Sequence, residues 1–392
     1  MFIIDFVVWT LALILALNVF YVLFFAVASL WPIKKNVLQL KKYNRFAVFI
    51  PAYKGDEVIV STMFSSFKQN YPRDKYDIII IADSLKSYTV GEMKLHPVRV
   101  IEVSFENSTK AKSLNAAIDA LNNEDYDYAV VLDIDNIMEE NFLEKINLRL
   151  QNNETIIQAH RVAKNLDTPF AVLDAISEEA NNHIFRKGHS VVGLSAALIG
   201  SGMAMKYDAF VRFMKQAKAV GGFDKELEVN LISDGIKIEY DHGILVYDEK
   251  VQKSEVFKNQ RRRWLSAQYK FLIKYFRQSV IKSFKEKNFD LLDKIIQFAL
   301  FPRIILLGFL FVFSALYFVG FKPAIVFFTL LQVYILALLL AVPNKYYSFS
   351  TLKSIMYLPK AFWLMFLTLF NLKGADKKFI HTPHSITNKD EN

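Results

Sequence analysis

The chain has 392 residues, a formal net charge of +9, 53% hydrophobic residues and no cysteine, with a mean hydropathy of +0.20. The missing thiols exclude disulfides and thiolate metal sites, and the apolar content is high for a protein without membrane-inserted segments. A basic balance fits nucleic acid, an anionic membrane surface or a phosphorylated substrate, and charge by itself selects none of them.

No charged residue occurs over 6–30, a run of 25 positions, and a membrane helix needs roughly 20. The run is too long for the apolar core of a signal peptide, Asp5 replaces the basic start, and no small-x-small cleavage pattern follows. A retained anchor is expected over 1–32. Lys34, Lys35, Lys41, Lys42 and Arg45 come directly after it, and basic flanks stay on the cytoplasmic side. The next domain is therefore expected in the cytoplasm, on the inner (plasma) membrane of a bacterium.

Residues 44–265 read as one α/β domain. FAVFIPAY, YDIIIIADS and YAVVLDID are short β-branched runs ending in polar or turn residues, and the segments between them have helical spacing. Strands alternating with helices imply a largely parallel sheet that binds ligands at the strands' carboxyl ends.

Several residues at those ends could carry chemistry. Pro51, Ala52 and Tyr53 close the first run, where a tyrosine could cover a nucleobase or simply sit in a turn. Asp83 ends the second run; a carboxylate there accepts hydrogen bonds from a base or ribose, or caps a helix. In TKAKSLN, Lys110 and Lys112 sit at a helix start, where cations are unfavourable unless an anion is bound. In VVLDIDN, Asp133 and Asp135 lie two apart, so in an extended chain both carboxylates face one way and could address one hard cation. An acidic turn explains the same spacing. GSGMAMK, at 200–206, allows close backbone approach to a ligand. There is no G-x-G-x-x-G and no Walker A pattern.

Read in order, FIPAYKGDE, IADS, KAKSLN, DID, GSGM, KELE and QRRRW resemble the membrane-bound family-2 glycosyltransferases. These include cellulose, chitin, hyaluronan and poly-N-acetylglucosamine synthases and ceramide glucosyltransferase. The resemblance covers about residues 44–270 and implies a GT-A (Rossmann-like) domain of α/β class between N- and C-terminal transmembrane helices. It further implies a UDP-sugar donor, Mg²⁺ or Mn²⁺, and inversion at the anomeric carbon. Carried over residue by residue, it assigns Pro51, Tyr53, Asp83, Lys110, Lys112, Asp133, Gln260 and Arg263 to the donor. Asp133 and Asp135 fall to the metal, and Trp264, Ser201 and Gly202 to the acceptor. Arginine suits a diphosphate because its planar fork engages two oxygens, and tryptophan stacks on a pyranose. The usual Glu-Asp pair at the catalytic base is altered to GGFDKELEVNL. The best register makes Glu226 the base, with Asp224 as fallback.

Beyond the domain, 266–290 alternates apolar and basic residues as an interfacial helix does. A two-helix transmembrane hairpin is expected over 295–344, turning at GFKP, and a shorter interfacial or re-entrant helix over 354–372. In the basic tail 373–392, His381, Thr382 and His384 resemble the segment that folds over the donor in the synthases; a disordered tail is the plain alternative. Polysaccharide synthesis is placed first, single-sugar transfer to a lipid second, and a non-catalytic UDP-binding regulator is the rival of another class. Besides donor, glycan or lipid acceptor and bilayer, an oligomer or an accessory export subunit is a candidate partner. Nucleic acid is not expected, because the basic residues cluster near membrane boundaries.

Overall fold

The computed structural model describes residues 2–33, 39–121, 124–151, 156–217 and 219–372. Lys34, Lys35 and the tail with His381, Thr382 and His384 lie outside the described residues.

Eight strands form one mixed sheet: β1 (Phe46–Tyr53), β2 (Tyr76–Asp83), β3 (Arg99–Val103), β4 (Tyr128–Val131), β5 (Ile137–Met138), β6 (Ile156–Ala163), β7 (Met203–Lys206) and β8 (Ile238–Asp248). Their order is β3-β2-β1-β4-β7-β6-β8-β5. The continuous apolar runs noted in the sequence become strands covered on both faces, as parallel strands flanked by helices must be. Alternate residues divide between two cores: Phe49, Ile79 and Ile81 pack with Leu114 and Phe210, while Val48, Ile78 and Ile80 pack with Met63 and Phe142. β1 runs parallel to both β2 and β4, so strand order reverses at β1 and leaves a crevice beyond its carboxyl end.

The expectation of a largely parallel sheet holds for β3-β2-β1-β4 and for β6 with β8, and is corrected at β5 and β7. β7 is antiparallel to β4 and to β6. The chain passes through the helix Pro169–Asn181 and the π-helical turn Asn182–Gly188, then re-enters the sheet from the opposite end.

Among the described residues two helices are long and apolar enough to cross a membrane, Asp5–Ala28 and Lys322–Leu340. There are up to four spans if each bent pair counts as one: Phe289–Ala299 with Arg303–Val319, bent by 56°, and Phe349–Ile355 with Leu358–Leu369, bent by 42°. By length and composition these helices suit a membrane. Leu15, Val19 and Val22 of the N-terminal helix share a core with Leu331 and Tyr334. Gly320 (φ +91°) makes the tight turn that GFKP signals. The segment expected as a separate interfacial helix is continuous with QRRRW, in one 33-residue helix, Ser254–Glu286.

A compact seam fixes the sheet domain to these helices. A Cβ on Gly188 would stand 2.3 Å from the Phe25 carbonyl oxygen, so only glycine permits this approach. The neighbouring His189 ring stacks on Phe25 at 3.6 Å. The Tyr21 hydroxyl donates to Asp293 Oδ1 at 2.7 Å, and His189 Nε2 lies 3.2 Å from Asp293 Oδ2.

Candidate active site

A cavity of about 1070 Å³ begins at the carboxyl ends of β1, β2 and β4, passes the long helix Ser254–Glu286 and reaches the apolar helices. Pro51, Tyr53 and Asp83 border its sheet end. Asp83 is 1% exposed; its Oδ1 accepts from the Ser84 hydroxyl at 3.0 Å, and its buried Oδ2 has no hydrogen-bond partner among the described residues. An orphaned buried acceptor is costly, and a ligand donor would relieve it. Lys54 (φ +49°) and Ser84 (φ +59°) both adopt left-handed backbone beside it. Such strain concentrates at functional sites.

Asp133 and Asp135 follow β4 and both border the cavity. Their loop is clamped from below: the Asp133 amide donates to Ser201 Oγ at 3.0 Å and to Asn136 Oδ1 at 3.2 Å. Lys110 donates to Asp133 Oδ1, to the Gly200 carbonyl at 2.8 Å and to the Leu132 carbonyl at 3.2 Å. Its ammonium therefore positions the D-x-D loop. Asp135 is buried and accepts from the Glu249 amide at 3.3 Å.

Three of the expected residues lie off the cavity. Ser201 is wholly buried beneath that loop, and Gly202 (φ +61°) faces Val246, whose side chain would lie 3.2 Å from an added Cβ. Neither borders the cavity; Ser201 Oγ accepts from the Asp133 amide, and the Gly202 amide donates to the Val131 carbonyl. Lys112 lies two residues beyond Lys110, on the other side of the helix Lys110–Ala120, and donates to the Asn107 carbonyl at 2.8 Å.

The helix Phe223–Ser233 decides the carboxylates. Residues four apart share a helix face and residues two apart do not. Asp224 and Glu228 both line the cavity, and Glu226 does not. Glu226 instead accepts from Lys274 Nζ at 2.7 Å, the Tyr275 hydroxyl at 3.2 Å and the Ala219 amide at 2.8 Å. Glu226, the expected base, thus lies off the cavity and anchors the long helix. Glu228 is locked by Lys294 Nζ at 2.7 Å and the Leu198 amide at 2.9 Å. Burial raises the Asp224 carboxyl above the ordinary aspartate range; Lys225 opposes the shift and Glu228 adds to it.

The three arginines of QRRRW separate by about 100° per residue on a helix, and each has its own task. Arg261 pairs with Asp174 and stacks on Trp264 at 4.5 Å. Arg262 donates to the Asn371 carbonyl, tying the long helix to the C-terminal one. Arg263 lines the cavity together with Gln260 and Trp264, and burial lowers its guanidinium. Trp264 is 38% exposed, with a face open to the cavity.

The sequence reading missed a buried relay. Arg161 Nη1 lies 3.9 Å from Asp133 Oδ2 and 3.7 Å from Asp248 Oδ1, while its Nη2 meets Glu178 Oε2 at 2.8 Å. Arg186 binds the other oxygen of Glu178 at 2.9 Å. Burial alone would raise the Glu178 carboxyl, but Arg161, Arg186 and Lys250 hold it well below the usual range. The available signal was a basic residue inside the apolar β6 run and paired acids on a helix face.

Residues 44–267 match the family model described as "Glycosyltransferase like family 2". The chain belongs to this family. It is similar to the probable glycosyltransferase YdaM of Bacillus subtilis (strain 168), with 24% identity over 265 residues, 64% of this chain and 62% of that protein. The chain therefore spans about six-tenths of that relative's length. Its fold is similar to that of the mannosyltransferase PcManGT from Pyrobaculum calidifontis in complex with GDP-Man and Mn²⁺, with a TM-score of 0.54 and 16% identity. That likeness covers 85% of this chain and 97% of the other. At such identity it speaks for the GT-A fold alone.

The D-x-D of this glycosyltransferase fits a divalent cation by its donor chemistry. Two carboxylates at one strand end offer hard oxygen ligands, and among the described residues no group of three or more His, Cys, Asp or Glu forms a cage. Mg²⁺ is typically held in this way, by one or two carboxylates and substrate phosphates.

Proposed function

We propose that this glycosyltransferase moves a sugar from a UDP-sugar to an acceptor hydroxyl with inversion, as a multi-pass protein of a bacterial inner membrane whose catalytic domain faces the cytoplasm. One observation carries the reading: Asp83 with a free buried oxygen, the D-x-D pair and the raised carboxyl of Asp224 all border one cavity.

The unpartnered Oδ2 of Asp83 suits uracil, whose imino N–H is one donor. Guanine presents two donors to a carboxylate and would have to share Oδ1 with the Ser84 hydroxyl. Tyr53 borders the same end and offers a ring face to the base. Asp133 and Asp135 would hold Mg²⁺ or Mn²⁺, which when bound neutralises charge on the departing diphosphate. Arg263 faces the same cavity and adds positive charge there.

Asp224 is the base in this account. Its carboxylate takes the proton of the acceptor hydroxyl while the hydroxyl oxygen bonds to the anomeric carbon. The bond to the diphosphate breaks on the opposite face, so an α-linked donor yields a β-glycoside and UDP. A raised carboxyl is the better base near neutral pH. That property favours turnover over the regulator reading. Between acceptors, the apolar far end of the cavity favours a membrane-held acceptor over a growing exopolysaccharide or capsule chain.

The test is twofold. UDP, and not GDP, should raise the melting temperature in Mn²⁺, and NMR of the product should show the β-anomer. An α-linked product would rule out single displacement, and equal protection by GDP would rule out the uracil reading.

A further inference from the structure

The cavity is larger than a nucleotide sugar needs at the sheet end, and its far wall is apolar. Ile335, Leu338, Leu339 and Val342 all line it, at the spacing of one helix stripe. Ile335 and Leu339 are also 43% and 50% exposed. Ile335, Leu338 and Leu339 belong to the apolar helix Lys322–Leu340, so a candidate membrane span walls the far end of the cavity. Leu307 and Met365 complete the wall from neighbouring helices.

A cation stands where this wall meets the polar half. Arg303 lines the cavity at the break between Phe289–Ala299 and Arg303–Val319. Irregular backbone at membrane depth is tolerated where it lines a cavity, and a charge there marks a site by default. Three other guanidiniums of the cavity are matched by acids: Arg261 by Asp174, Arg161 and Arg186 by Glu178. Arg303 differs. Its Nη2 donates to the Ser177 carbonyl at 2.7 Å and hydroxyl at 3.0 Å, and its Nη1 is buried with no hydrogen-bond partner. Among the described residues no carboxylate lies within ion-pair distance of it. It is also the first residue of the helix Arg303–Ala315, where the helix dipole adds positive potential. A buried, unmatched guanidinium beside an apolar slot has the charge of a phosphate's partner and the surroundings of a lipid's tail.

We propose that Arg303 binds the phosphate or diphosphate headgroup of a membrane lipid that enters sideways along the Ile335–Leu338–Leu339–Val342 stripe, and that this lipid is the acceptor. Only the word acceptor rests on the nucleotide-sugar reading; the lipid site stands on Arg303 and the slot. The headgroup anion lies against Arg303 with a lipid-borne hydroxyl directed towards Asp224, and the tail stays between the helices.

The test is equilibrium binding to the full chain in detergent, which needs no turnover. The probes are farnesyl phosphate, farnesol and inorganic phosphate, measured against Arg303→Gln and Leu338→Trp, with UDP and Mn²⁺ binding followed in parallel. Farnesyl phosphate should bind well above farnesol and inorganic phosphate. Arg303→Gln should weaken it about tenfold or more, and Leu338→Trp should weaken it by blocking the slot, both with UDP binding intact. Equal binding of farnesol, or of inorganic phosphate, would overturn the proposal, and so would farnesyl phosphate binding unchanged in Leu338→Trp. Failure of UDP to bind the wild type would sink the nucleotide-sugar reading and leave the lipid result standing.

Discussion

Asp224 and Glu228 stand one helical turn apart and both border the cavity, while Glu226 between them points to Lys274 and Tyr275. One helix thus carries three acids in three settings: the proposed base, a buried anchor to Lys294, and an anchor to the long helix. Asp224→Asn should lower turnover by about 10²- to 10⁴-fold with UDP affinity kept. Glu226→Gln removes an ion pair whose lysine is half exposed, so turnover should stay within several-fold. Single-turnover kinetics on both variants check this.

The pH profile should carry the same signature. Burial raises the Asp224 carboxyl, so kcat/KM should fall on the acid side at a pH above the ordinary aspartate value of about 3.9. A raised folded pKa means the neutral form stabilises the fold: that contribution is complete below the unfolded value and is lost as pH rises through the folded one. At pH 7 Asp224→Asn should therefore melt higher than the wild type while being far less active. A lower melting temperature would contradict the assignment.

Asp83 offers one free oxygen. Replacing it with alanine should weaken UDP by about 10- to 100-fold, as for a lost hydrogen bond to a charged group, with little change in kcat at saturating donor. Titration calorimetry with UDP measures it.

Chelation should act through the D-x-D pair. With EDTA, affinity for UDP should drop sharply, and added Mn²⁺ or Mg²⁺ should restore it in the wild type. In Asp135→Asn the metal should restore little. Uridine lacks the diphosphate and should bind equally with or without metal.

Much of this site was legible because it lies at strand ends. Asp83, Asp133 and Asp135 each follow an apolar run that names its own terminus. The arginines of QRRRW could be read as pointing three ways, but not at what, since Asp174 is 87 residues from Arg261 and Asn371 is 109 from Arg262. Which of Asp224 and Glu226 borders the cavity was not legible, because the facing of a helix depends on where it starts. The start follows Gly222, at φ +71°, and GGFDKELE does not mark it. Arg303 carries no signal in the sequence, because its meaning comes from Ser177, 126 residues away, and from the lack of an acid beside it among the described residues.

The most direct measurement is nucleotide release by the purified protein with Mn²⁺ and membrane lipid extract, across UDP- and GDP-sugars, for the wild type, Asp224→Asn and Glu226→Gln. The account predicts release with a UDP-sugar, lost in Asp224→Asn and largely kept in Glu226→Gln. Loss in Glu226→Gln with Asp224→Asn still active, or release from GDP-sugars alone, would contradict it.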